Sequence, residues 1–182
     1  MPFATGFFSP EGATVAALLA LRITALIWIA PVFSSRTVPA TVKTGITMLL
    51  VVVLWPTAMS AAGPAAEVSA PAILSELLLG LSLGLAAGIF IAAAEAAGDM
   101  LAVQMGLSGA NVLNPMSSTQ MPVLGQFLGL FATALILAGG GHVIIIHTLG
   151  ASLEVLPPGG PLELELGLTE VLRLGSTMLW LG

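Results

Sequence analysis

The chain has 182 residues, of which 57% are hydrophobic and 7% charged, and its net charge is −5. Soluble domains run at roughly 45–50% apolar and 25% charged residues, so this chain lacks the polar surface to cover a soluble core and reads as an all-α, polytopic helical membrane protein. It has no cysteine, which excludes disulfides, thiolate metal sites and a Cys nucleophile, and its four cations, Arg22, Arg36, Lys43 and Arg173, form no basic patch for nucleic acid.

Met1–Gly12 carries no Lys or Arg, so the basic start of a signal peptide is missing and the first apolar run is expected to be retained. That run, Ala13–Phe33, has 21 residues interrupted only by Arg22, enough for a hydrocarbon core that needs about 20. Pro31 and Ser34-Ser35-Arg36 are expected to end it. An Arg near the centre of a span costs about 2.5–3.5 kcal/mol on insertion scales. Arg22 therefore either pairs with an acid or with backbone carbonyls inside protein, or snorkels from a span whose true position is shifted.

Thr44–Trp55 is apolar but short, and the second span either stops at Pro56 or extends toward Ala62. Pro56–Pro71 reads as a flexible Ala/Gly/Pro connection. The loop between the first two spans holds Arg36 and Lys43, which puts it in the cytoplasm by the positive-inside rule. Ile73–Ala94 is the clearest span. Within and just beyond it, Gly80, Gly84, Gly88, Ala92 and Ala96 recur every four residues, a stripe against which another helix can pack closely.

Polar and glycine residues follow directly: Glu95, Gly98, Asp99, Gln104, Gly106, Ser108 and Gly109. Glu95 and Asp99 are one turn apart on one helix face. Such carboxylates either share a proton, as in a proton-coupled transporter, or sit solvated where the helix leaves the bilayer. Leu107–Val123 is a polar, proline-punctuated loop with Asn114-Pro115, Ser117, Ser118, Thr119, Gln120 and Pro122. Met105, Leu107, Leu113, Met116 and Met121 give it an apolar side, and methionines deform readily to seal a gap. A solvent loop and a pore plug both fit this composition.

Val123–Leu153 holds no formal charge over 31 residues, about 46 Å as one helix. Gly139-Gly140-Gly141 interrupts it, so two helices are expected, Val123–Ala138 and Val143–Leu156. His142 and His147 are five apart with no carboxylate between them, whereas helical metal pairs favour i, i+4. No metal site and no cofactor is expected. Pro157-Pro158-Gly159-Gly160-Pro161 breaks the chain, Leu162–Leu168 alternates apolar and acidic residues, and a further helix begins at Thr169.

The order of these blocks resembles the FliR export-gate family, whose members serve flagella and, more distantly, injectisomes. The resemblance rests on Arg22 before Pro31-Val32-Phe33-Ser34-Ser35-Arg36-Thr37-Val38-Pro39 and Lys43, and on Glu95-x-x-Gly98 leading to Gln104-Met105-Gly106-Leu107-Ser108. Asn114-Pro115, Pro122-Val123-Leu124-Gly125-Gln126-Phe127 and Gly141-His142 complete it. Gln104-Met105-Gly106 is similar to the flagellar members.

The resemblance implies a non-enzymatic subunit of the flagellar type III export gate in the bacterial inner membrane. It would assemble with the membrane proteins FliP and FliQ, and with other export-gate proteins, around a channel for unfolded flagellar subunits. The family's plug maps onto Gly106–Pro122, with Gln104, Met105, Gly106, Leu107, Leu113, Asn114, Pro115, Met116, Gln120, Met121 and Pro122 as candidates. Arg22, Arg36, Gly80, Gly84, Gly88, Glu95, Gly98 and Asp99 are the assembly and packing candidates. Asn114-Pro115 departs from the family's usual Asp-Pro. Family chains usually run longer, so residues 1–182 are expected to form one integral-membrane helical domain from the first part of such a chain. The competing reading from the residues is a proton-coupled small-solute transporter using Glu95, Asp99 and Arg22.

Overall fold

The computed structural model describes residues 6–34, 38–62, 67–106 and 123–160, with Arg173 and Ser176, and its regular elements are all helices. The first, α1 (Pro10–Ile29), starts where the sequence supplies a full set of signals. The Ser9 hydroxyl accepts from the Gly12 N–H at 3.0 Å, Pro10 occupies a position that needs no donor, and Glu11 faces the positive end of the helix. Its buried residues Val15, Leu18, Leu19, Arg22, Ile23, Leu26 and Ile27 recur at three- and four-residue steps, one stripe of a helix. The run expected to continue to Phe33 is divided at Ala30. Pro31 cannot donate back to Ile27 and disfavours a helical residue before it, so a separate turn, α2 (Pro31–Ser34), follows.

The next helix, α3 (Ala40–Ala61), passes through Pro56, so of the two ends left open for the second span the one toward Ala62 is observed, against the expectation of a flexible connection from Pro56. That expectation is corrected for Pro56–Ala61. A proline removes one backbone bond and crowds one turn, but in apolar surroundings the remaining polar groups have no water to turn to, so the helix continues. The helix α4 (Ala70–Gln104) is likewise longer than expected at both ends. Pro71 is its second residue, a place proline suits, and neither Glu95 nor Asp99 stops it. It ends at glycine. The Met105 N–H donates to Leu101 O (2.9 Å), the Gly106 N–H donates to Val103 O (3.0 Å), and Gly106 takes φ +70°, a conformation that costs a glycine little. Two shorter helices follow, α5 (Val123–Ala138) and α6 (Gly141–Val155), separated at Gly139-Gly140 with Gly140 at φ +79°.

Three helices, α1, α3 and α4, are long and apolar enough to cross a membrane, and a fourth span results if α5 and α6 count as one broken segment. This is a polytopic helical membrane protein. The chain divides into two compact units, one of Met1–Ala87 with His142–Gly182 and the other of Gly88–Gly141. In the first, α1 lies at the centre: Val15, Leu19, Ile23, Leu26 and Ile27 pack with Val51 and Ala58 of α3, Leu83 of α4, and Ile145, Leu149 and Leu153 of α6. The Trp55 indole closes one end by donating to Gly12 O at 3.1 Å. Within lipid such packing is held by close contact rather than by escape from water, so small residues at crossings matter. A methyl group on Gly80 would collide with Arg22 O and Ala25, and one on Gly84 with Ile29.

In the second unit, the end of α4 and the start of α5 meet backbone to backbone. A Cβ on Gly98 would come within 2.8 Å of both the Gly125 nitrogen and Leu124 O.

Candidate functional site

Arg22 lies at the centre of the first unit, 0% exposed, facing Glu76 of α4, which is 1% exposed. The guanidinium has five N–H donors in a fixed plane. Nε donates to Glu76 Oε2 at 2.6 Å and Nη2 to Glu76 Oε1 at 3.0 Å, a two-pronged pair. Nη2 also donates to Leu156 O at 2.9 Å, and Nη1 to Ser152 O at 3.2 Å and Ser152 Oγ at 3.1 Å. All five donors are used. Stripping water from each ion costs several kcal/mol, and only near-complete hydrogen bonding of this kind offsets it.

Two of these acceptors are backbone carbonyls at the end of α6, where a helix carries partial negative charge and runs out of N–H partners, although Ser152 O also accepts from the Leu156 N–H at 2.9 Å. Arg22 thus caps α6 from another helix. Glu76 does the complementary work on the turn that follows. Pro157, Pro158, Gly159 and Gly160 have the pattern of a type II turn: Gly160 N–H donates to Pro157 O at 3.0 Å, and Gly159 takes φ +77°. The Gly159 N–H donates to Glu76 Oε1 at 3.2 Å. One ion pair therefore fastens α1, α4, the end of α6 and its turn together.

Of the readings left open for Arg22, burial and pairing is the observed one. Its partner was not singled out from the sequence, although Glu76 is the one formal charge in Ile73–Ala94. Two isolated opposite charges in two apolar runs were the available signal. Glu95 and Asp99 are both on α4, short of its end and exposed. The helix runs ten residues beyond Ala94, where the clearest apolar span was expected to end. Charged residues leave the backbone bonds of a helix intact, and Gly106 is what ends it. Their carboxylates lie against the glycines of α5: a methyl group on Gly129 would strike the Glu95 side chain, and one on Gly125 the Asp99 carboxylate. Arg22 has no donor left to serve them.

Gln104, Met105 and Gly106 are exposed at the end of α4, and Gly88 is half-buried on the same helix. His142 and His147 are exposed on α6. Arg36, Leu107, Leu113, Asn114, Pro115, Met116, Gln120, Met121 and Pro122 lie outside the described residues, as do Leu162–Leu168 and the helix expected from Thr169, Arg173 and Ser176 apart.

The sequence profile of the bacterial export proteins, family 1, matches residues 13–182. The flagellar biosynthetic protein FliR of Escherichia coli K12 is 35% identical over 141 residues, covering 77% of this chain and 54% of that protein. FliR of Bacillus subtilis 168 is 33% identical over 142 residues, covering 76% and 54%. The surface presentation of antigens protein SpaR of Salmonella typhimurium is 25% identical over 144 residues, covering 79% and 55%. The chain spans about half the length of these relatives. With that profile running from residue 13 to residue 182, through the helices that carry Arg22 and Glu76, this chain belongs to the bacterial export proteins, family 1.

Proposed function

We propose that this chain is a structural and gating subunit of the flagellar type III protein export gate. With FliP and FliQ it forms the channel through which unfolded flagellar subunits pass, in the bacterial inner membrane at the flagellar basal body. Membership of the export family is the observation that carries this reading, and relatives named as flagellar biosynthetic proteins favour the flagellar system. The role needs no catalysis and no cofactor: the chain contributes surfaces and a rigid frame. Two features support it. At about 1.5 Å per residue α4 is about 52 Å long, well beyond a hydrocarbon core of about 30 Å, which suits a helix covered partly by other subunits. Large apolar side chains also stand exposed along it, among them Leu81, Leu85, Ile89 and Phe90.

In this reading Gly106–Pro122, which starts at the glycine that ends α4, is the plug. The direct test is co-expression of the tagged chain with FliP and FliQ, followed by native mass spectrometry. A single large complex containing this chain is expected. Recovery of the chain without either partner, also when the reading frame is extended past Gly182, would overturn the proposal.

A further inference from the structure

The second unit has almost no interior. Of its large apolar side chains only Ile91 is buried among the described residues, whereas Met100 and Val103 of α4 and Phe127, Leu130 and Phe131 of α5 stand exposed. The Phe127 and Phe131 rings stack with centroids 6.3 Å apart, so part of this surface is an ordered aromatic ridge. Glu95 and Asp99 lie at the same level, because their side chains rest over Gly129 and Gly125, the glycines on either side of Phe127 in α5. Among the described residues neither carboxylate accepts a hydrogen bond or an ion pair, and Gly88–Gly141 contains no lysine, arginine or histidine.

Neither ordinary surrounding suits this surface. Water would wet a contiguous patch of large apolar side chains, which soluble proteins rarely leave open. Lipid would strand two carboxylates in hydrocarbon, where acids are rare unless paired. A protein surface that is apolar and carries a cation meets both demands. Room for it exists beside the acids: Ala92 and Ala96 are exposed there, small enough for another helix backbone to come close. Gly80 and Gly84, which precede them on α4 at the same four-residue spacing, are already covered by α1.

We infer that this flank of the second unit docks an apolar helix of a partner membrane subunit that bears a lysine or arginine. The cation sits between Glu95 and Asp99, one turn apart, and its helix lies along Ala92 and Ala96. The partner comes from the export-gate reading, on which this inference rests.

The test uses the full chain co-expressed with FliP and FliQ, with a photo-crosslinking amino acid in place of Ala96. The crosslinked partner peptide, sequenced by mass spectrometry, is expected to carry Lys or Arg within one helical turn of the linked residue. In the chain without the crosslinker, Glu95→Gln combined with Asp99→Asn is expected to weaken retention in the complex by about thirtyfold, the lower end for truncating one side of a desolvated charge pair. Both acids are exposed, so the isolated double variant should unfold at the same temperature as the unaltered chain. A complex retained equally by the double variant would overturn this contact and leave the export-gate reading standing. So would a crosslink to lipid alone, or to a partner peptide without a cation. Failure of the unaltered chain to form any complex would instead remove the export-gate reading, and this contact with it.

Discussion

Arg22 and Glu76 behave as one residue split between two helices. Replacing Arg22 by Met leaves a buried carboxylate with a single backbone donor, and breaking a buried pair in this way costs about 3–5 kcal/mol. Replacing both by Met leaves apolar side chains of similar volume, and is expected to cost less than either single change. Denaturation of the three variants in detergent micelles measures this, and a double variant as unstable as the sum of the singles would refute the coupling. At this scale the need was legible and the partner was not. A central Arg in an apolar run demands an acceptor, which the sequence announces. Which acceptor depends on helices brought together across 54 and 130 positions, and local spacing cannot show that.

Glycines mark the helix crossings. Gly98 and Gly125 meet so closely that a methyl on either would strike backbone or carboxylate, whereas Gly45 faces open space. Gly98→Ala or Gly125→Ala should therefore destabilise the second unit by about 1–3 kcal/mol through overpacking. Gly45→Ala should instead stabilise by up to about 1 kcal/mol, because alanine is the better helix former. Thermal unfolding in detergent orders the three, and an equal effect at Gly45 and Gly98 would remove the crossing argument. Element boundaries were legible where the backbone itself is special. The break at Gly139-Gly140 and the stop near Pro31 were both expected, since glycine and proline act locally. The boundary inferred from charge was not, since α4 runs ten residues past Ala94, and proline within an apolar stretch left two ends open for α3, of which the farther, near Ala62, is observed. The backbone of a membrane helix has no better partner than itself, so it outlasts both kinds of interruption.

For the whole molecule, composition alone announced the membrane class and the helical fold, because 7% charge leaves no other way to meet water. The two-unit division was not legible, since it depends on α4 belonging to the first unit up to Ala87 and to the second from Gly88. The gating role is testable at this scale. Deleting Gly106–Pro122 from the assembled gate is expected to leave assembly intact while membranes containing it conduct small ions. Conductance equal to that of the undeleted gate would count against a plug. The buried pair also imposes an order on synthesis. Glu76 and Gly159 are 83 positions apart, so at about 5–20 residues per second roughly 4–17 s separate the emergence of the acid from that of the turn it holds. During that wait three of the five guanidinium donors, those destined for Ser152 and Leu156, have no native acceptor. The nascent first unit therefore waits with its charged interior unsealed, and it is the ribosome's progress through α6 that decides when it closes.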